Sequence, residues 1–117
     1  NLTSLMKCHK NEIEIKNTKN AYIKDGVALV RFLNWLETGI PTGTITEMIA
    51  SEKLLEFRKQ QDLFIEDSFE SISAYGANAS MPHYKPSHEN PVKVEPRGLY
   101  LIDRRNLPLY SCFKSSY

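Results

Sequence analysis

The chain has 117 residues, 41% of them hydrophobic and 25% charged, so it is one domain or part of one and is not disordered throughout. Fifteen Lys and Arg against fourteen Asp and Glu give a net charge of +1, which argues against nucleic acid or an anionic membrane surface as partner. No apolar run approaches the roughly 20 residues of a membrane span, and Asn1–Lys7 lacks the charged-then-apolar order of a signal peptide.

Lys10 to Glu37 reads as a long amphipathic helix. Asn11 is a candidate cap, and Glu14 is placed to reach back to it as in a capping box. Ala21, Ala28, Leu29, Phe32, Leu33 and Leu36 fall at spacings of three and four and predict one apolar stripe. Gly26 within this stretch costs about 1 kcal/mol relative to Ala, which points to close packing there. Thr38 to Gly43 holds Gly39, Pro41 and Gly43 and is a turn. Thr44-Ile45-Thr46-Glu47 has the form of a second capping box and predicts a helix starting after Thr44. Met48, Ile49, Leu54, Leu55 and Phe57 would supply its buried face.

From about Phe64 the pattern changes. Ser68 to Tyr75 alternates and stops at Gly76, which predicts a strand followed by a turn over Gly76 to Ser80. Met81 to Tyr84 reads as a short strand at a sheet edge, because Pro82 cannot donate to a ladder. Lys85 to Arg97 carries three prolines and is a loop. Gly98 to Asp103 is an apolar run closed by a carboxylate and predicts a buried strand. Helices followed by strands give an α+β class, two long helices and then antiparallel strands. Cys8 and Cys112 are too few and too far apart for a disulfide scaffold, and are read as free thiols in a reducing, cytoplasmic compartment.

Three stretches then carry a family resemblance. Leu5-Met6-Lys7, Asn11 to Glu14 and Ile23 to Leu33 resemble the opening of the catalytic domain of aminopeptidase P, the Xaa-Pro aminopeptidases. Ser68 to Ala79 with Pro82-His83-Tyr84 is similar to that domain's next motif. Gly98-Leu99-Tyr100-Leu101-Ile102-Asp103 is similar to the strand bearing its first metal-binding Asp. The resemblance covers residues 5–103 in order. It implies the N-terminal half of a pita-bread fold, in which two similar halves each pack helices on a curved antiparallel sheet. It also implies a site for two divalent metal ions, usually manganese, held by two Asp, one His and two Glu. The substrates it implies are peptides with proline at the second position. Carried onto this chain, Asp103 is the first metal ligand. His83 stands beside the metals, contacts substrate and helps to move protons. Phe69 lines the pocket for the substrate's N-terminal residue.

The resemblance stops at Asp103. Lys114 stands where the family's second metal-ligating Asp is expected, and residues 104–117 form a divergent tail with no clear period. With no initiator Met, this predicts a truncated or processed chain, with a frameshift or an alternative exon as the origin of the tail. Such a piece is expected to be inactive and to bind no metal pair alone, because one carboxylate beside Arg104, Arg105 and Lys114 holds manganese weakly. The alternative is an interaction module that pairs with itself or with a full-length subunit through faces meant for the missing half. Without the resemblance, Asp103 is a turn or cap Asp and His83 a structural histidine. His9 and His88 are solvated on either reading.

Overall fold

In the computed structural model of the chain, the described residues are 1–62, 64–67, 71–103 and 106–108, with the backbone alone for 65–67 and 106–108. The elements are α1 (Leu2–Cys8), α2 (Glu12–Gly39), α3 (Glu47–Lys59), β1 (Phe64–Asp67), β2 (Ile72–Tyr75), β3 (Tyr100–Asp103) and β4 (Asn106–Pro108). This is the α+β order predicted, helices and then antiparallel pairs.

The start of α2 follows from its first residues. Asn11 Oδ1 accepts from the Glu14 backbone N–H at 2.8 Å, and Glu14 Oε2 accepts from the Asn11 N–H at 3.0 Å. Two of the N–H groups that a helix start leaves without a partner are thereby satisfied. The inner face is Ala21, Ala28, Phe32 and Leu36, as the spacing predicted, with Leu29 packed against it. Leu33, placed on that face from sequence, is half exposed at the edge of the stripe. Gly26 marks no close approach: a Cβ there would meet nothing within 4 Å. After α2 a 3-10 turn over Ile40–Thr42 ends at Gly43, whose φ of 70° lies in the left-handed region that favours glycine.

The second helix starts later than the sequence implied. Its N-cap is Thr46, whose hydroxyl accepts from the Ile49 N–H at 3.3 Å, so Glu47 is the first helical residue and no capping box forms with Thr44. The reason is tertiary. Ile45 accepts from the Val94 N–H at 3.0 Å and the Glu47 N–H donates to Val92 at 3.0 Å, which holds this stretch extended against the Pro-rich loop. The buried face of α3 is therefore Glu47, Ala50, Leu54 and Arg58, while Ile49 is exposed. Arg58 Nε meets Asp25 of α2 at 3.0 Å, an ion pair between the two helices. Phe32, Leu36, Ile45, Ala50, Leu54 and Val94 form the core, so the loop expected to be irregular contributes one of its central side chains.

The strands make two antiparallel pairs, β1 with β4 and β2 with β3. Asn106–Pro108 thus has a place in the fold, although the sequence showed no period there. In the second pair Ile72 lies opposite Asp103, Ser73 opposite Ile102, Ala74 opposite Leu101 and Tyr75 opposite Tyr100. Ser73 faces the helices, where its hydroxyl reaches Glu47, and Ala74 lies on the opposite face of the pair; both are buried. β3 is not the buried strand expected: Leu101 and Asp103 are exposed. Gly98 precedes it with φ of 110°, and a Cβ there would sit 2.8 Å from the Tyr75 hydroxyl, so this residue has to be glycine.

Candidate active site

β2 and β3 present Ile72, Leu101, Ile102 and Asp103 along one wall of a cavity of about 820 Å³. The segment Ala79 to Lys85, which carries His83, lines the same cavity. The apolar side chains of Ile72, Met81, Pro82 and Leu101 surround a few polar groups. The cavity is open, and most of its lining residues are exposed to solvent. Asp103 and His83, chosen from two separate motifs, therefore line one cavity. Phe69, the third residue chosen from sequence, lies outside the described residues. So does Cys112, whereas Cys8 is a free, exposed thiol.

The His83 segment differs from its sequence reading. Met81 to Tyr84 is a turn, not an edge strand, and His83 has a φ of 60°. Histidine is among the non-glycine residues that tolerate the left-handed region, at a cost of order 1–3 kcal/mol. The turn follows a 3-10 stretch over Gly76–Ser80 that curls the chain out of β2. After this curl the exposed His83 lines the same cavity as Ile72 and Asp103.

Beneath this turn lies a polar cluster that sequence reasoning missed. The carboxylate of Glu47, 1% exposed, accepts hydrogen bonds from the Tyr75 N–H, from Asn78 Nδ2 at 3.1 and 3.3 Å, and from the Tyr84 hydroxyl at 2.6 Å. Asn78 Nδ2 also donates to the Tyr84 oxygen at 2.9 Å. The Ser73 hydroxyl donates to the Glu47 carbonyl at 2.6 Å and lies 2.7 Å from the Tyr100 hydroxyl, which is left to act as donor. Thr44-Ile45-Thr46-Glu47 pointed to a helix start, and nothing in its spacing points to a buried acceptor.

Two phenols report on this cluster. Tyr84 is pushed up to about 12 by burial first, then by its hydrogen bond to Glu47 and by the charge of that carboxylate. Tyr100 also rises to about 12: burial raises it, the Ser73 hydroxyl, which can turn to donate to the phenolate, lowers it, and the Glu47 charge raises it again. The folded state therefore holds these protons more tightly than the unfolded chain, whose tyrosines titrate near 10. Their contribution to stability is complete below pH 10 and is lost as pH rises toward 12. Thermal melts at increasing pH should show that decline, with late phenolate absorbance for two tyrosines. Tyr84→Phe should flatten the slope, and an unchanged slope in that variant would contradict the assignment.

Among the described residues no three His, Cys, Asp or Glu side chains converge as a metal-binding group. The cavity offers one carboxylate and one imidazole, Asp103 and His83.

A profile of metallopeptidase family M24 matches residues 16–105. The chain belongs to metallopeptidase family M24. Within that family it is 42% identical over 101 residues to aminopeptidase P2 of Arabidopsis thaliana, covering 86% of this chain and 14% of the relative. It is 39% identical over 99 residues to Xaa-Pro aminopeptidase 2 of Sus scrofa, covering 85% and 15% respectively. The crystal structure of X-prolyl aminopeptidase from Caenorhabditis elegans superposes with a TM-score of 0.85 at 34% identity, covering 92% of this chain and 18% of that one. That protein is described as a cytosolic enzyme with a di-nuclear active site. The M24 chain thus has the fold of the N-terminal part of a pita-bread aminopeptidase, and it spans about a seventh of the length of these curated relatives.

Proposed function

We propose that this chain supplies one wall of the active site of an Xaa-Pro metalloaminopeptidase, an enzyme that releases the residue preceding an N-terminal proline. The observation that carries the reading is the shared cavity of His83 and Asp103. In this reading Asp103 is one metal ligand, reachable because it ends an exposed strand. His83 contacts the substrate and steadies or relays a proton at its imidazole. Phe69 lines the pocket for the first substrate residue. The apolar walls contributed by Met81 and Leu101 suit a peptide with proline second. The compartment proposed is the cytoplasm, that of the C. elegans enzyme. No helix among the described residues is long and apolar enough to cross a membrane.

The donor set here does not fit a metal pair by itself. Manganese prefers about six oxygen-rich ligands, and a bridged pair needs several carboxylates, whereas the described cavity supplies one. We therefore assign no chemical step to the metals in these 117 residues. Alone, they should show no sustained hydrolysis of an Xaa-Pro-Pro peptide with excess manganese, and no tight, stoichiometric manganese site by calorimetry. Turnover that survives repurification and disappears in Asp103→Ala would overturn this part of the reading.

A second reading, an interaction module that pairs with itself or with a longer subunit, is favoured by one observation. Ile23, Val27 and Val30 are exposed on α2, on the side away from Phe32.

A further inference from the structure

We propose that Glu47 is the positioning residue for His83, holding from below the turn that presents the imidazole to the cavity. The inference rests on the peptidase reading for the role of His83, but not for the geometry.

The turn does not fix its own place. Ser80 Oγ donates to Ala77, the Met81 N–H to Asn78 and the Tyr84 N–H to Met81. These bonds are local and set the curl of the segment. Ties to the rest of the molecule come at its ends and from beneath. The Gly76 N–H donates to Leu99 at 2.9 Å, and Tyr75, Asn78 and Tyr84 all converge on the Glu47 carboxylate. Tyr84 is the residue next to His83. Its hydroxyl, held by Glu47 and Asn78 together, anchors the side of the turn on which His83 keeps its left-handed backbone.

Glu47 itself has little slack. It is the first residue of α3, where the helix dipole favours a negative charge. Its N–H is bonded to Val92 and its carbonyl to Ser73. The groups facing its carboxylate are a backbone N–H, an amide NH2 and a phenol whose oxygen already accepts from Asn78. All three are donors, so the site requires a group that accepts on both oxygens. A carboxylate does this. An amide of the same shape has one accepting oxygen and sets an NH2 against donors. Buried networks of this kind are specific when every member is satisfied and costly when one is not.

The test uses the whole chain with isotope-labelled histidine, observed by NMR beside a thermal melt. The wild-type His83 imidazole should give one narrow signal. Glu47→Gln should broaden and displace it, leaving the His9 and His88 signals in place. Glu47→Gln combined with Asn78→Asp exchanges amide and carboxylate between the partners and should restore it. If Glu47→Gln does not fold, Tyr84→Phe removes only the phenol link and should still disturb His83. An undisturbed His83 signal in whichever variant is folded, even with a lowered melting temperature, would reduce Glu47 to a structural residue and overturn the proposal. Failure of the exchange to restore the signal would overturn it as well. Manganese added to the wild type reports separately on the peptidase reading. Selective paramagnetic broadening of His83 supports that reading. Broadening that spares His83 while reaching His9 or His88 counts against the reading and leaves the result on Glu47 unaffected.

Discussion

Phe32→Ala should destabilise the chain by about 3–5 kcal/mol, the usual cost of removing a fully buried phenylalanine. Phe32 is 0% exposed and belongs to the cluster that joins α2, the loop residue Val94 and α3. Its ring lies 6.0 Å from that of Trp35 at a tilt of 31°, so the substitution also removes an aromatic contact. The total stability of a domain is about 5–15 kcal/mol, and a small one lies toward the low end. Urea denaturation should therefore find Phe32→Ala largely unfolded where the parent is folded. Val30→Ala, on the opposite side of the same helix, should change stability by only about 0.5 kcal/mol. Equal midpoints for the two variants would show that the core does not lie where α2 meets α3.

The second large effect is expected on association. Ile23, Val27 and Val30 recur at spacings of four and three, on the face of α2 opposite Ala28 and Phe32, and are 65%, 42% and 67% exposed. They form a small uncovered apolar patch on the outer face of an otherwise amphipathic helix, and such patches favour association. Each such side chain contributes about 1.5–3 kcal/mol when fully buried. A second copy of the chain is the cover available in a pure solution. Val27→Lys with Val30→Glu keeps or improves helix propensity and sets charge on the face. The association constant should fall at least about tenfold, about 1.4 kcal/mol, with the melting temperature of the dilute protein unchanged. Sedimentation over a wide concentration range measures this. A wild-type chain that stays monomeric at every concentration would remove the basis for the interaction reading.

What the sequence determined by itself was local or periodic. The Asn11–Glu14 capping box is legible because both partners lie within one helical turn and need no other part of the chain. The inner stripe Ala21, Ala28, Phe32 and Leu36 is legible because a helix repeats every 3.6 residues and only one face meets a core. β2 follows from alternation, β3 from a continuous apolar run, and the break at Gly76 from glycine's conformational range. Asp103 and His83 were found by resemblance, since neither residue type nor spacing marks them out alone.

What only the tertiary structure decided involves partners distant in the chain. Two threonines competed to cap α3, and pairing with Val92 and Val94 selected Thr46. That choice made Glu47 the first helical residue and buried it under Tyr84, where it serves as acceptor instead of closing a capping box. Met81 to Tyr84 has the composition of a strand. It becomes a turn because Asn78 and Tyr84 are drawn to one buried carboxylate. The apolar run before Asp103 predicted burial, yet Leu101 faces the cavity, because a two-stranded pair covers one face and leaves the other open. For Glu47 and the turn above it, leaving a buried polar group without a partner costs about 1–3 kcal/mol, which favours the arrangement that satisfies every donor.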